Sequence, residues 1–171
     1  MQLGPTPSGQ GNDGTSDAEN SISMFAYVSE RKEFQLDKDE LHAAVEGFYD
    51  ALDSVFTGDA APMGQVWSHA ADITCMGPAG DLLVGWPPIE ATWVAQAGVV
   101  ESGTVRPEGI HVFASGDLGV SVGFEHGHVV IGGRSSNVHA RATNVFRRED
   151  GVWRMIGHHT DPHVATDHEA T

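Results

Sequence analysis

The stretch RATNVFRREDGVWRMIGHHTD, residues 141–161, consists of two segments of alternating side-chain character separated by turn residues at 149–151. This pattern predicts two antiparallel strands joined by a tight turn. Because side chains alternate between the two sides of a strand, Asn144 shares a face with small and apolar neighbours. The face predicted to point inward contains Ala140, Ala142, Asn144 and Phe146 on one strand and Trp153, Met155, Gly157 and His159 on the other.

The same alternation extends toward the N-terminus through further strands. Turn residues lie at 115–117 and at Gly132 and Gly133, so the chain from Thr104 onward is predicted to form an antiparallel meander. In the strand around residues 118–130, the more apolar row of side chains is expected to face the core. That row consists of Val120, Val122, Phe124, His126 and His128.

Helical periodicity dominates the preceding part of the chain. Asp37 followed by Glu40 matches a capping box, which predicts that a long amphipathic helix starts there. Apolar residues then recur at helical spacing from Leu41 to Val55. The elements predicted after this helix are a short helix ending at residues 66–67, a hairpin formed by residues 72–76 and 81–84, and a helix opened by Pro87 and Pro88.

The length of 171 residues fits one folded domain with flanking segments. Residues 1–21 are rich in Gly, Ser, Pro, Asn and Asp, and they are predicted to be a disordered tail. Residues 22–36 carry several apolar side chains and are predicted to be a docking arm. The domain is expected to cover residues 37–162, followed by a flexible C-terminal tail at residues 163–171.

Charge and composition argue against several classes of partner. With 24 acidic and 9 basic residues the formal net charge is −15, which opposes binding to nucleic acid or to an anionic membrane. The single cysteine, Cys75, cannot form an intrachain disulfide. Together with an N-terminus that lacks the pattern of a secretory signal, these features favour a cytoplasmic protein.

The predicted inner strand faces, closed by the helices, indicate one apolar cavity with few polar groups, the usual form of a small-molecule site. The candidate catalytic residues are His126, Asn144 and His159, with a histidine as general base and the Asn144 amide as a donor to a carbonyl oxygen. The residues expected to line the pocket are Phe48, Leu52, Trp67, Trp93, Val122, Phe124 and Met155. The alternative is that the histidines are structural and the tryptophans only pack the core.

The histidines also raise the question of a metal site. His158 and His159 are adjacent on a strand and point to opposite faces, so they do not readily share one ion. His126, His128 and His159 form a conceivable three-ligand set. We predict neither a metal nor a cofactor.

The order of these elements, together with TNVFRREDGVWRMI at residues 143–156, resembles the nuclear transport factor 2-like superfamily in its SnoaL-like branch. Ketosteroid isomerase and the association domain of calcium/calmodulin-dependent kinase are better-known relatives, and the resemblance covers roughly residues 38–161. It implies an α+β, cystatin-like fold in which a cone-shaped, curved antiparallel sheet wraps on a long N-terminal helix and shorter helices. It also implies a homodimer formed through the outer face of that sheet.

Ketosteroid isomerase uses a carboxylate base and an oxyanion site made by a Tyr and a protonated Asp. In this chain Gly77 stands before Pro78, where the resemblance places the base. Phe48 corresponds to the Tyr, with Tyr49 one residue off the buried stripe. Asn144 corresponds to the Asp and keeps a hydrogen-bond donor. The carboxylate base and the phenol of that enzyme are therefore predicted to be missing.

The sequence thus predicts a SnoaL-like pocket protein that acts by proton transfer on a small apolar carbonyl compound, as an isomerase, cyclase or hydrolase-type enzyme. The alternative is a non-catalytic domain that binds a ligand or dimerises.

Overall fold

The computed structural model describes residues 14–78 and 80–163, and it describes side chains for residues 27–32, 35–78 and 80–163. The chain divides into two compact units, Met1–Leu36 and Asp37–Thr171. In the first unit the guanidinium of Arg31 lies 4.9 Å from the centroid of the Tyr27 ring. The second unit contains the sheet and the hydrophobic core.

Three helices and six strands make up the described residues. The helices are α1 (Gly14–Phe56), α2 (Met63–Val66) and α3 (Trp86–Val99). The strands are β1 (Thr74–Met76), β2 (Leu83–Val84), β3 (Val100–Ser115), β4 (Leu118–Ile131), β5 (Arg134–Glu149) and β6 (Val152–Pro162). None of the described helices combines the length and the apolar character needed to cross a bilayer.

The long helix begins earlier than the sequence predicts. Asp37 lies inside α1, so the predicted helix start at this residue is wrong. The carboxylates of Asp37 and Glu40 instead accept hydrogen bonds from the Arg148 guanidinium at 2.7 and 2.8 Å. Residues 14–21 of the predicted disordered tail and all of the predicted docking arm are helical, while residues 1–13 and 164–171 lie outside the described residues.

The strands form one curved sheet in the order β2-β1-β6-β5-β4-β3. The antiparallel meander from β3 to β6 and the short β1–β2 hairpin are confirmed, and β1 also pairs in parallel with β6. Asp150 and Gly151 both have positive φ, 50° and 80°, as a two-residue turn of type I′ requires. The α+β fold with a curved sheet and a long N-terminal helix is therefore confirmed.

The faces of β5 and β6 depend on one extra residue. Ala140, Ala142, Asn144 and Phe146 of β5 are buried on the inner face, as predicted. The pairing of β5 with β6 shifts between Val145/Gly157 and Phe146/Met155, which leaves Ile156 as a bulge. The bulge reverses the alternation in the second half of β6, so His158 and Thr160 face inward and His159 faces outward.

The prediction for β4 is wrong in its faces. Ser121 and Glu125 are buried, and they pair with Asn144 and Ala140 of the inner face of β5. The more apolar row around Val122 and Phe124 lies on the outer face. The inner row is rich in small residues because α1 packs against it: a Cβ on Gly119 would lie 2.7 Å from a methyl carbon of Leu41.

Candidate functional site

A cavity of about 590 Å³ lies between the inner face of the sheet, the C-terminal part of α1 and α3. Its walls are mostly apolar, and the polar groups are few. The apolar lining residues are Leu52, Phe56, Leu83, Trp93, Val105, Val129, Val138 and Ala140, with Cys75, Gly77, Pro78 and Gly80. The polar lining residues are Asp81, Thr92, Gln96, Glu125, His158 and Thr160.

Glu125 is a carboxyl group in an apolar wall. It stands on the inner face of β4, it is only 6% exposed, and its Oε1 accepts a hydrogen bond from the Tyr49 hydroxyl at 3.1 Å. Burial raises the pKa of Glu125 to about 7, although the hydrogen bond from Tyr49 acts in the opposite direction. Both protonation states of this carboxyl group are therefore populated near neutral pH.

Tyr49 is fully buried beside this carboxyl group. It lies on α1 next to Phe48, and the two rings meet edge to face at a centroid distance of 5.1 Å. Burial and then the nearby Glu125 raise the pKa of Tyr49 far above its ordinary value. The phenol therefore stays protonated and remains a donor to Glu125.

His158 is another polar group of the cavity wall, and its orientation is fixed by a short chain of hydrogen bonds. Its Nδ1 lies 2.7 Å from Oδ1 of Asn144, and Nδ2 of Asn144 donates to the Ser121 hydroxyl at 3.2 Å. Because Asn144 directs its amide N–H group toward Ser121, its carbonyl oxygen faces the imidazole. Nδ1 of His158 therefore carries the proton, and Nε2 is an acceptor.

The surroundings of His158 keep the imidazole neutral. The ring centroid lies 5.0 Å from that of Phe48 and 6.3 Å from that of Trp93. Burial, with a smaller contribution from His159, lowers the pKa of His158 to about 4. At neutral pH the site thus combines a titrating carboxyl group with an uncharged imidazole.

Cys75 also lines the cavity, but its chemistry is different. Burial raises the pKa of the Cys75 thiol to about 11. A thiol in this state is not a nucleophile at neutral pH.

Two of the three predicted catalytic residues do not face the cavity. The His126 side chain is 40% exposed on the outer face, where its Nε2 lies 2.9 Å from a Glu108 carboxylate oxygen. His159 is 48% exposed, and its Nε2 lies 3.7 Å from Asp161. Their predicted inward orientation is wrong. For His126 the reason is the reversed face of β4, and for His159 it is the bulge in β6.

Asn144 is buried on the inner face as predicted, but its side-chain amide is engaged by Ser121 and His158. It is not among the residues that line the cavity. The structure therefore places it behind His158 and not against a ligand.

The predicted pocket residues separate into three groups. Leu52 and Trp93 line the cavity. Phe48, Trp67 and Met155 are fully buried in the core that supports it, and Phe48 packs directly on Trp93 and His158. Val122 and Phe124 lie on the outer face, so their predicted inward orientation is wrong.

Sequence reasoning missed Glu125, Tyr49 and His158 as site residues. One pattern in the sequence could have indicated Glu125: along β4 it shares a row with Ser121 and several glycines, and such a row of small residues is typical of the face on which a helix packs. The prediction of a missing carboxylate base and phenol concerns the positions of Gly77 and Phe48, where neither group stands. A carboxyl group and a Tyr hydroxyl are present elsewhere in the interior, on β4 and α1.

Ligands for a metal ion do not converge in the described part of the chain. Within residues 27–32, 35–78 and 80–163, no three His, Cys, Asp or Glu side chains are arranged to hold one ion. The outer-face rings of His126 and His139 lie 4.3 Å apart, but the His126 Nε2 is directed to Glu108.

Comparison with known proteins agrees with this architecture. Residues 41–163 match the model of the SnoaL-like domain, and the chain belongs to this family within the nuclear transport factor 2-like superfamily. No curated protein matches the sequence of this chain.

Solved structures with the same fold come from several bacteria. A candidate dehydratase of the nuclear transport factor 2-like family from Streptomyces avermitilis is 24% identical, with a TM-score of 0.69, and covers 77% of this chain and 99% of its own. A candidate association domain of calcium/calmodulin-dependent protein kinase type II from Thiobacillus denitrificans is 27% identical, with a TM-score of 0.58. The match covers 72% of this chain and 94% of that domain. A protein with a cystatin-like fold from Caulobacter vibrioides is 17% identical, with a TM-score of 0.62, and the match covers 74% of this chain and 89% of that protein.

Proposed function

We propose that this protein is an enzyme that transfers protons on a small, largely apolar carbonyl compound, and that Glu125 is the group that moves the proton. The observation that carries the proposal is a buried carboxyl group in the wall of an apolar cavity, with its pKa raised by burial to about 7. A general base is most effective when its pKa lies near the working pH. Glu125 replaces His126 and His159 as the proposed base, because both histidines face outward.

The reaction follows from the groups around Glu125. The ionised carboxylate takes a proton from the carbon next to the carbonyl group of the bound compound, and the electron pair of that C–H bond becomes part of an enolate. The Tyr49 hydroxyl, which donates to Oε1, holds the carboxyl group in place. The protonated carboxyl group then returns the proton to the same or another carbon, as an isomerase or cyclase requires.

Thr160 supplies a further donor. It lies two residues after His158 on the inner face of β6, and its hydroxyl-bearing side chain lines the same cavity. We propose that the Thr160 hydroxyl donates a hydrogen bond to the enolate oxygen, because such a donor stabilises the negative charge that develops in the transition state.

The proposal is tested by following hydrogen exchange. Incubated in D₂O with a panel of small apolar ketones, the protein is expected to speed the loss of protons next to the carbonyl group of at least one ketone, measured by proton NMR. The variant Glu125→Gln is expected to lower that rate by about 100-fold or more, since general acid–base groups typically contribute this much. Glu108→Gln, an exposed glutamate on β3, is the matched control and is expected to leave the rate unchanged.

Two results contradict the proposal. One is exchange at the buffer rate for every ketone of the panel. The other is an enzyme-catalysed rate that Glu125→Gln does not change.

A second candidate function is a non-catalytic domain that mediates dimerisation, and the similarity to the Thiobacillus denitrificans protein, a candidate kinase association domain, supports it. In line with this we propose a homodimer through the outer face of the sheet, where Phe124 is exposed. Phe124→Glu is expected to halve the mass measured by light scattering. Two results count against the dimer: a mass that Phe124→Glu leaves unchanged, or a mass of a single chain for the unmutated protein.

Cytoplasmic residence stays a prediction.

A further inference from the structure

The two nitrogen atoms of the His158 ring have different surroundings. Nδ1 is used by Asn144 at 2.7 Å, whereas Nε2 makes no hydrogen bond to any described residue. Nε2 is also not among the sealed, unpartnered polar atoms, which in the described residues are the indole nitrogens of Trp67, Trp93 and Trp153. Since His158 lines the cavity, this lone pair is available to a bound molecule.

Asn144 determines which hydrogen-bonding role this nitrogen has. Its amide is held from β4 by Ser121 and from β6 by His158, two strands on either side of β5. All three side chains are buried, so no solvent competes for these bonds. The arrangement leaves Nε2 as an acceptor that calls for an N–H or O–H donor on the ligand.

The charge of the cavity wall and of the whole chain also restricts the class of ligand. The described residues that line the cavity include the carboxyl groups of Glu125 and Asp81 and no Lys or Arg. With a formal net charge of −15 on the whole chain, an anionic ligand is disfavoured. The apolar walls and the volume of about 590 Å³ suit a neutral molecule of one or two rings.

We propose that the substrate is a neutral hydroxyketone, whose hydroxyl group donates to Nε2 of His158 while the carbon next to its carbonyl group lies at Glu125, and that Asn144 is the positioning residue that keeps Nε2 an acceptor. This inference rests on the proposed function, because it assigns the carbonyl end of the molecule to Glu125. It adds a hydroxyl group at the other end and explains the buried Asn144, which does not touch the cavity.

The test compares two probes that differ in one donor. The probes are para-hydroxybenzylacetone and its O-methyl ether, and their affinities are measured by isothermal titration calorimetry with the full chain. The phenol is expected to bind about tenfold more tightly, the order expected for one buried hydrogen bond and an acceptor left unpaired by the ether. Equal affinities, tighter binding of the ether, or no binding of either probe overturns the inference.

Variants on adjacent residues assign the preference to His158. His158→Phe is expected to remove the preference for the phenol, and the outward-facing His159→Phe is the matched control that retains it. Asn144→Leu is expected to weaken the preference while the fold persists, because without the Asn144 oxygen at Nδ1 the neutral imidazole can carry its proton on Nε2, which is then a donor. A merely structural Asn144 would leave the ratio of the two affinities unchanged in the folded variant. If a variant fails to fold, the ratio of the two probe affinities in the unmutated protein still tests the proposal.

The two proposals fail separately. If the unmutated protein catalyses exchange in the ketone panel but binds the two probes equally, only the proposal of a hydroxyketone substrate is contradicted. If it prefers the phenol but catalyses no exchange, only the catalytic role of Glu125 is contradicted.

Discussion

The two faces of the same sheet give neighbouring residues opposite chemistry. Glu125 and His158 face inward, where burial raises the pKa of the acid and lowers that of the imidazole. His126 and His159, each one position further along, face outward, are close to half exposed, and lie near carboxylates. The face of a strand, more than the type of residue, therefore determines which groups can be reactive in this sheet.

The first way to test this difference is to remove matched aromatic rings. Phe146 is completely buried on the inner face of β5, so Phe146→Ala is expected to lower the free energy of unfolding by about 3–5 kcal/mol. Phe113 is 59% exposed on β3, and Phe113→Ala is expected to cost less than about 1 kcal/mol. Urea unfolding followed by circular dichroism measures both. Similar losses in the two variants would mean that the faces are assigned wrongly.

The second prediction concerns the pH dependence that the buried Glu125 imposes. Its pKa is about 7 in the folded chain, against 4.5 for a glutamate in water, so its contribution to stability is fully present below pH 4.5 and is lost as the pH rises toward and beyond 7. The corresponding difference is about 3 kcal/mol. Glu125→Gln is expected to gain stability relative to the unmutated protein between pH 4.5 and 8, measured by urea unfolding at each pH. A difference between the two proteins that does not change with pH would contradict the raised pKa.

The third prediction concerns the opposite limb of the pH profile. The pKa of His158 is lowered to about 4 from 6.5, so its contribution is present above pH 6.5 and is lost as the pH falls through 4. The size of this loss is again about 3 kcal/mol. His158→Gln is expected to remove this part of the acid destabilisation, and His159→Gln is expected to retain it. The thermal midpoint of both variants, followed from pH 7 to pH 4, measures the difference. An identical acid response in the two variants would show that the inward and outward histidines are not distinct.

The fourth and smallest prediction uses one substitution at two glycines. A Cβ on Gly127, in the inner row of β4, would overlap the carbonyl oxygen of Thr104 on β3. Gly127→Ala is therefore expected to destabilise the fold by about 1–3 kcal/mol. Gly47 on α1 has open space around it, so Gly47→Ala is expected to stabilise the helix by about 0.5–1 kcal/mol. Thermal unfolding measures both, and equal shifts in the same direction would contradict the close approach of β3 and β4.

Much of the fold could be predicted from the sequence because its signals are local. The turn at Asp150 and Gly151, the meander and the apolar stripe from Leu41 to Val55 each depend on a few consecutive residues. The inner face of β5 could also be predicted, since Ala140, Ala142 and Phe146 alternate with the polar residues Arg141, Thr143 and Arg147. These elements alone were enough to indicate the family.

The site could not be predicted because it depends on non-local register. The sequence around Ile156 contains no pattern that predicts a bulge. Without the bulge, simple alternation along β6 points His159 inward and His158 outward. In β4 the apolar row with Phe124 suggested a buried face, whereas the packing of α1 requires small residues such as Gly119 on the inside. A buried row with Phe124 would put Glu125 on the outside, and the hydrogen bond from Tyr49 to Glu125 joins residues 76 positions apart.

The proposed role of Glu125 is tested by the carbon-13 NMR titration of its carboxyl group, with the signal assigned by its disappearance in Glu125→Gln. A carboxyl group held in the apolar wall of the cavity is expected to titrate with a midpoint near 7. A midpoint near 4.5, the ordinary value of a glutamate in water, would contradict this role, since the group would then be solvated and would have no special capacity to move a proton at neutral pH.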